Sequence, residues 1–143
     1  MKVTIYLYAN KRIYTAVLVA DNKKQSIKNI GQKNKGESIM QNYIIAALKA
    51  LRTLKFPVDI HIISPRNSFK MLPGIEEKIP KQDFVEENLE KWIEISDLIK
   101  KHKSYKANKH NDNKNLKSKW QYYRKSMVTS KDNPNIDKMD SLF

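Results

Sequence analysis

The first third of the chain contains three short runs of residues separated by polar turn segments, an arrangement typical of β-strands. Residues 3–8 and 12–20 are rich in β-branched and aromatic side chains, and Asn10 and Lys11 between them suit a tight turn. Residues 25–31 form a shorter and more polar run, which favours the edge of a sheet. The pattern predicts an antiparallel meander of three strands.

After a polar loop, apolar residues recur at alternating three- and four-residue spacing, which is the period of an α-helix. The stripe consists of Ile39, Met40, Tyr43, Ile44, Ala47, Leu48 and Leu51. Ser38 directly before it is a suitable N-cap, and Pro57 prevents the helix from continuing. Residues 58–63 then form a compact apolar run, which predicts a fourth strand buried beside the first.

The next segment, residues 65–80, holds three prolines, so we expect a short helix over residues 67–71 and then an irregular connection. A second long helix is predicted over residues 84–100, with one apolar side and its acidic residues mostly on the other. The predicted apolar stripe is Val85, Leu89, Trp92, Ile93, Ile95 and Ile99.

The pattern predicts a short strand at residues 104–107 and a last helix over residues 113–127. Because a helix needs an apolar stripe, Trp120 and at least one of Tyr122 and Tyr123 should belong to the core. Residues 128–143 lack periodicity and predict a flexible tail. The length of 143 residues therefore fits one α/β domain, residues 1–127, followed by this tail.

Composition narrows the range of functions. The chain has no cysteine, which excludes a disulfide framework and thiol catalysis. With only three histidines it has few ligands for zinc, and no cofactor is expected. It has no apolar run long enough to span a bilayer and no signal-like start, so a soluble cytoplasmic protein is expected. The formal net charge of +13 favours a polyanionic partner.

The positive charge is concentrated near the C-terminus. Residues 74–99 hold eight acidic and three basic side chains, whereas residues 100–125 hold ten basic and one acidic, with four aromatic residues among them. Lysines favour phosphates and aromatic rings stack on bases, so we predict nucleic-acid contact there; the alternative is a solvated helix face. The candidate residues are Lys103, Lys106, Lys109, His110, Lys114, Lys117, Lys119, Arg124 and Lys125.

The order of elements resembles the ribonuclease H-like fold, a mixed sheet of three antiparallel and then parallel strands flanked by helices. Residues 5–10, IYLYAN, are similar to the family's first-strand signature IYTDGS, and residues 47–51 to its first helix. Residues 59–66 resemble the following strand, which in the family ends in a TDS-type signature. His110 and residues 115–119 resemble the family's glycine-histidine loop and the NExxD start of its last helix.

The resemblance implies cleavage of the RNA strand of an RNA–DNA hybrid by two metal ions that four carboxylates hold. The corresponding positions are Tyr8, a residue within 40–42, Pro65 and Lys119, and none is acidic. Hard divalent cations require mostly anionic oxygen ligands, so the resemblance predicts a pseudoenzyme that binds DNA or an RNA–DNA hybrid. The minority alternative is a rearranged nuclease whose acids are relocated to Glu37, Asp59 and Asp112.

The main alternative is an interaction or inhibitor protein, from a phage or mobile element, that binds a host nucleic-acid enzyme. The predicted acidic helix would offer such a partner a second charged face. The terminal residues 139–143, MDSLF, resemble the peptides that dock into sliding clamps, with Met139 at the position of the usual glutamine. Leu142 and Phe143 are the candidate partner-binding residues, and a tail folded back on its own domain is the alternative.

Overall fold

The computed structural model describes residues 1–21, 26–72 and 86–130; the side chains of residues 26, 71, 86, 87 and 125–130 are not described. The strands are β1 (Lys2–Ala9), β2 (Ile13–Asp21), β3 (Ser26–Lys33), β4 (Asp59–Ser64) and β5 (Ser104–Lys109). The helices are α1 (Ile39–Thr53), α2 (Glu86–Lys100) and α3 (Lys114–Ser130), with a 3-10 helix at Asn67–Met71.

The five strands form one mixed sheet in the order β3-β2-β1-β4-β5. β1 and β2, and β2 and β3, pair antiparallel, whereas β1 and β4, and β4 and β5, pair parallel. The predicted meander and the edge position of the third strand are therefore confirmed. The parallel pairing brings the C-terminal ends of β1, β4 and β5 to the same end of the sheet.

One face of the sheet carries the larger core, which α1 and α2 cover. The predicted stripe of α1 faces this core, although Ile39 at its start is exposed. The Ser38 hydroxyl caps α1 by accepting a hydrogen bond from the Gln41 N–H at 3.1 Å, as the sequence predicts. On the sheet, the inward alternation of Val3, Ile5 and Leu7 completes the layer.

The predicted apolar stripe of α2 is wrong in two places. Trp92, Ile95 and Ile99 are buried, but Leu89 and Ile93 are 38% and 36% exposed. The buried side of the helix includes the polar Asn88 and Ser96 instead. The helix packs against α1 with the side that carries Trp92. The six predicted apolar positions cover a wider part of the helix surface than this contact buries. The remaining stripe residue, Val85, lies outside the described residues.

The opposite face of the sheet carries a smaller core under α3. Its buried members are Tyr6, Val17, Val19, Ile63, Trp120 and Tyr123. Trp120 and Tyr123 are thus buried while Tyr122 is 69% exposed, which confirms the prediction for the aromatic residues of this helix.

The last helix runs to Ser130, three residues beyond its predicted end, so residues 128–130 belong to α3 and not to a tail. The remaining tail, with Leu142 and Phe143, lies outside the described residues. Among the helices of the described residues, none combines the length and apolar character needed to cross a membrane.

Candidate nucleic-acid interface

Aromatic rings gather where β1 ends, at the position where the resemblance expects the first carboxylate. Trp120 of α3 donates a hydrogen bond from Nε1 to the Leu7 carbonyl at 3.1 Å and lies 6.3 Å from the ring of Tyr8. His110 follows β5, and its ring centroid is 4.8 Å from that of Trp120. The His110 N–H donates to the Ser64 carbonyl at 2.9 Å, which fixes this loop beside the end of β4. Residues from four elements therefore meet at this end of the sheet.

Two guanidinium groups lie on these rings. Arg124 Cζ is 4.9 Å from the ring centroid of Tyr8 and 5.6 Å from that of Trp120. Arg66, which follows β4, has its Cζ 5.7 Å from the ring centroid of Tyr43 in α1. These distances are those of cation–π contacts. We name this group of Tyr8, Tyr43, Arg66, Trp120 and Arg124 the edge cluster.

The phenol of Tyr43 lies within electrostatic range of both arginines. Its pKa is raised overall, because burial outweighs the opposing effects of a backbone hydrogen bond from Ala9 and of the positive charges of Arg66 and Arg124. Both guanidinium groups, although far apart in the sequence, therefore contribute to the electrostatic potential at the same hydroxyl.

The edge cluster does not fit two divalent cations. Tyr8 is covered by a guanidinium, and Pro65 offers no side-chain donor. In α1, Asn42 is buried and committed to other residues: its Nδ2 donates to the Asn10 carbonyl at 2.7 Å, and its Oδ1 accepts from Asn34 Nδ2 at 2.7 Å. Hard cations require anionic oxygens, and the edge cluster holds the positive charges of Arg66 and Arg124 instead.

The three acids considered for a relocated site do not come together. Asp59 begins β4 at the other end of the sheet and accepts a hydrogen bond from the Ser104 hydroxyl at 2.7 Å. Asp112 forms a salt bridge with Lys70 at 2.9 Å, and hydrogen bonds, first that from Lys70, lower its pKa to about 2. Glu37 is exposed before α1. Within residues 1–21, 26–72 and 86–130, no three acidic or histidine side chains form a group able to hold a metal.

Lysines from three elements meet on the face of the sheet that α3 partly covers. Thr4, His61 and Lys106 lie opposite one another on β1, β4 and β5, so they point to the same face, and Lys2 precedes Thr4 by one strand repeat. Burial lowers the pKa of His61, and although the hydrogen bond with Asn108 raises it, the charges of Lys2, Lys106 and Lys119 lower it further. We name Lys2, Lys106 and Lys119 the lysine face.

A groove of about 430 Å³ runs between α3 and the sheet beside the lysine face. Lys2, Lys119 and the exposed ring of Tyr122 line it, and Asp21 is the acid in its lining. An exposed aromatic ring beside lysines is the combination that suits a base next to phosphates.

The predicted binding residues fall into separate groups. Lys106 and Lys119 belong to the lysine face. Lys109 and Lys117 lie near His110: burial is the main cause that lowers the pKa of His110, and the charges of these two lysines lower it further. Arg124 lies in the edge cluster, and Lys114 is exposed at the start of α3. Lys103 lies at the far end of β5, where its N–H donates to the Val58 carbonyl, and the side chain of Lys125 is not described.

The resemblance assigned Lys119, like Tyr8, to a carboxylate position of the family. The residues of α3 that contact Tyr8 are Trp120 and Arg124, whereas Lys119 is exposed and lines the groove with Lys2. Sequence reasoning also missed Lys2 and Arg66. Arg66 had a signal, since it lies next to Pro65 in the segment that resembles the family; Lys2 had none before the strand register was known.

Acidification should destabilise the protein. Burial is the first cause that lowers the pKa of His61, His102 and His110 in the folded state. The unfolded chain then takes up protons that the folded chain does not, so the free energy of unfolding should fall as pH drops below about 6.5 and stay level above it. Thermal melts between pH 8 and 5 measure this. His61→Gln should make the fall shallower, and a melting temperature that rises towards pH 5 would contradict the assignment.

The fold is that of the ribonuclease H-like α/β class. The structure is similar to that of LC9-RNase H1, a type 1 RNase H with the type 2 active-site motif, with a TM-score of 0.63 and 10% identity over 98% of this chain and 79% of that one. It is also similar to the N-terminal RNase H domain of rv2228c from Mycobacterium tuberculosis, with a TM-score of 0.59 and 11% identity over 90% and 97%.

RNase H1 from the halophilic archaeon Halobacterium salinarum NRC-1 is a third similar structure, with a TM-score of 0.56 and 14% identity over 76% of this chain and 85% of that chain. No protein-family model and no curated protein matches the sequence. The similarity is therefore one of fold.

Proposed function

We propose that this protein binds nucleic acid, as DNA duplex or RNA–DNA hybrid, through the face that carries α3 and β5, and that it does not cleave it. The proposal rests on the ribonuclease H-like fold, in which the similar solved structures are RNases H. The proposed lack of cleavage is supported by the sequence, because none of the positions that the resemblance assigns to metal-binding carboxylates is acidic.

The observation that carries the proposal is the lysine face. Strand register and helix packing bring three lysines to one side of the sheet, one from the start of the chain and two from its last third. Tyr8 lies six residue steps along β1 from Lys2, about 20 Å, so the lysine face and Arg124 of the edge cluster extend over the length of several phosphates. A polyanion gains binding energy on such a surface by releasing its counterions.

Incubation of excess protein with a labelled RNA–DNA hybrid and Mn²⁺ tests both halves of the proposal. We expect the hybrid to migrate as a complex and both strands to stay intact, because the edge cluster offers cations the wrong ligands. Denaturing gels detect cleavage, and native gels detect binding. Cleavage that disappears in Asp59→Asn or Asp112→Asn would instead establish a rearranged nuclease.

A protein partner is the second candidate function. The exposed Leu89 and Ile93 lie one turn apart on α2, next to the exposed acids Glu90 and Asp97, and such a mixed patch suits a basic protein surface. The resemblance of the tail to sliding-clamp peptides stays a prediction, since Leu142 and Phe143 lie outside the described residues. Binding to a host nucleic-acid enzyme that survives nuclease treatment of a lysate would favour this candidate.

A further inference from the structure

The chain contains four arginines among 28 basic residues, and two of the four lie in the edge cluster. Arg66 follows β4, and Arg124 lies in α3, so distant parts of the sequence supply them. Among the described residues, neither guanidinium forms a salt bridge, whereas Arg52 is paired with Glu94 and donates to it from Nε at 2.7 Å. The two arginines therefore retain donors for a ligand.

Aromatic support prepares these groups for binding. Arg124 lies against Tyr8 and Trp120, and Arg66 against Tyr43. A guanidinium that stacks on a ring keeps its planar edge of N–H donors free, and that edge matches two oxygens of a phosphate. The rings are themselves fixed, because Trp120 and Tyr43 are buried in the two cores. Little side-chain freedom remains to be lost when a ligand binds.

We propose that Arg66 and Arg124 together bind a phosphate group of a nucleic-acid strand at the end of the sheet where the resemblance would place two metal ions. This inference rests on the proposed function and names the group that the site recognises. Two guanidinium groups supply two positive charges and fixed hydrogen bonds, but they neither generate a metal-bound hydroxide nor polarise a phosphoryl oxygen as a Lewis acid. The site therefore binds the strand without cleaving it and needs no divalent cation.

Binding of a fluorescent RNA–DNA hybrid in EDTA tests this assignment. The double variant Arg66→Gln and Arg124→Gln should bind about tenfold to a hundredfold more weakly, because charge-assisted hydrogen bonds to phosphate are lost. The double variant Arg66→Lys and Arg124→Lys should fall between it and the original protein, because charge is kept while the two-donor edge is lost. Adding Mg²⁺ should not strengthen binding by the original protein.

The matched control is the pair Arg52→Gln and Lys55→Gln, which removes two positive charges at and just beyond the C-terminal end of α1, whereas Tyr43 lies near its start. It should change affinity by less than about twofold beyond the effect of net charge. Equal losses in both pairs, an unchanged affinity in the arginine pair, or a requirement for Mg²⁺ would overturn the inference. If the arginine pair binds normally while loss of the lysine face weakens binding, the proposed function stands and only this inference fails. Absence of binding by the original protein overturns both.

Discussion

Replacing Trp120 by alanine should lower the free energy of unfolding by about 3–5 kcal/mol, the range found for removal of large buried aromatic side chains. The residue is 6% exposed, and its ring packs in the smaller core with Tyr123, Ile63 and Val17. Its Nε1 donates to the Leu7 carbonyl, so the substitution also removes a buried hydrogen bond. Denaturant unfolding followed by circular dichroism measures the change.

Tyr122→Ala is the matched control on the same helix. Its side chain is 69% exposed, so we expect a change within about 0.5 kcal/mol. Trp120→Phe should fall between the two, since it keeps an aromatic ring but loses the donor to Leu7. If Trp120→Ala cost no more than Tyr122→Ala, α3 would not be docked on the sheet as described, and the edge cluster would lose its support.

The order of elements was predictable because each one has a strong local signal. The apolar and β-branched runs of β1 and β2, the long apolar stripe of α1 and its Ser38 cap depend on residues that are close in sequence. The edge position of β3 followed from its polarity. The error at Leu89 and Ile93 has a physical origin: the apolar arc of α2 shows which side is apolar but not how much of it a neighbouring helix covers.

The site was less predictable because it depends on helix phase and on strand register. A shift of one residue turns a helical side chain by about 100°, and this is the difference between Lys119, which lines the groove, and Trp120, which contacts Tyr8. Lys2 reaches the lysine face only through the parallel pairing of β1 with β4. Neither relation leaves a local pattern in the sequence.

Loss of the lysine face should weaken binding to duplex DNA by up to about a hundredfold at low salt, because each neutralised phosphate releases counterions. The variant replaces Lys2, Lys106 and Lys119 together by alanine. All three positions are exposed, so the fold should be preserved. The control replaces Lys49, Lys55 and Lys101, which are exposed on or beside the helices of the other face, by alanine. It removes the same number of positive charges.

The salt dependence of duplex binding distinguishes phosphate contacts at the lysine face from a diffuse effect of the net charge. For both triple variants and the original protein, the logarithm of the affinity is plotted against the logarithm of the salt concentration. We expect a steep negative slope for the original protein. At about 0.9 per phosphate, the slope should be flattened by up to roughly 2.7 in the Lys2, Lys106 and Lys119 variant, and it should change little in the control. Equal slopes in the two variants, or no binding at low salt, would contradict this expectation.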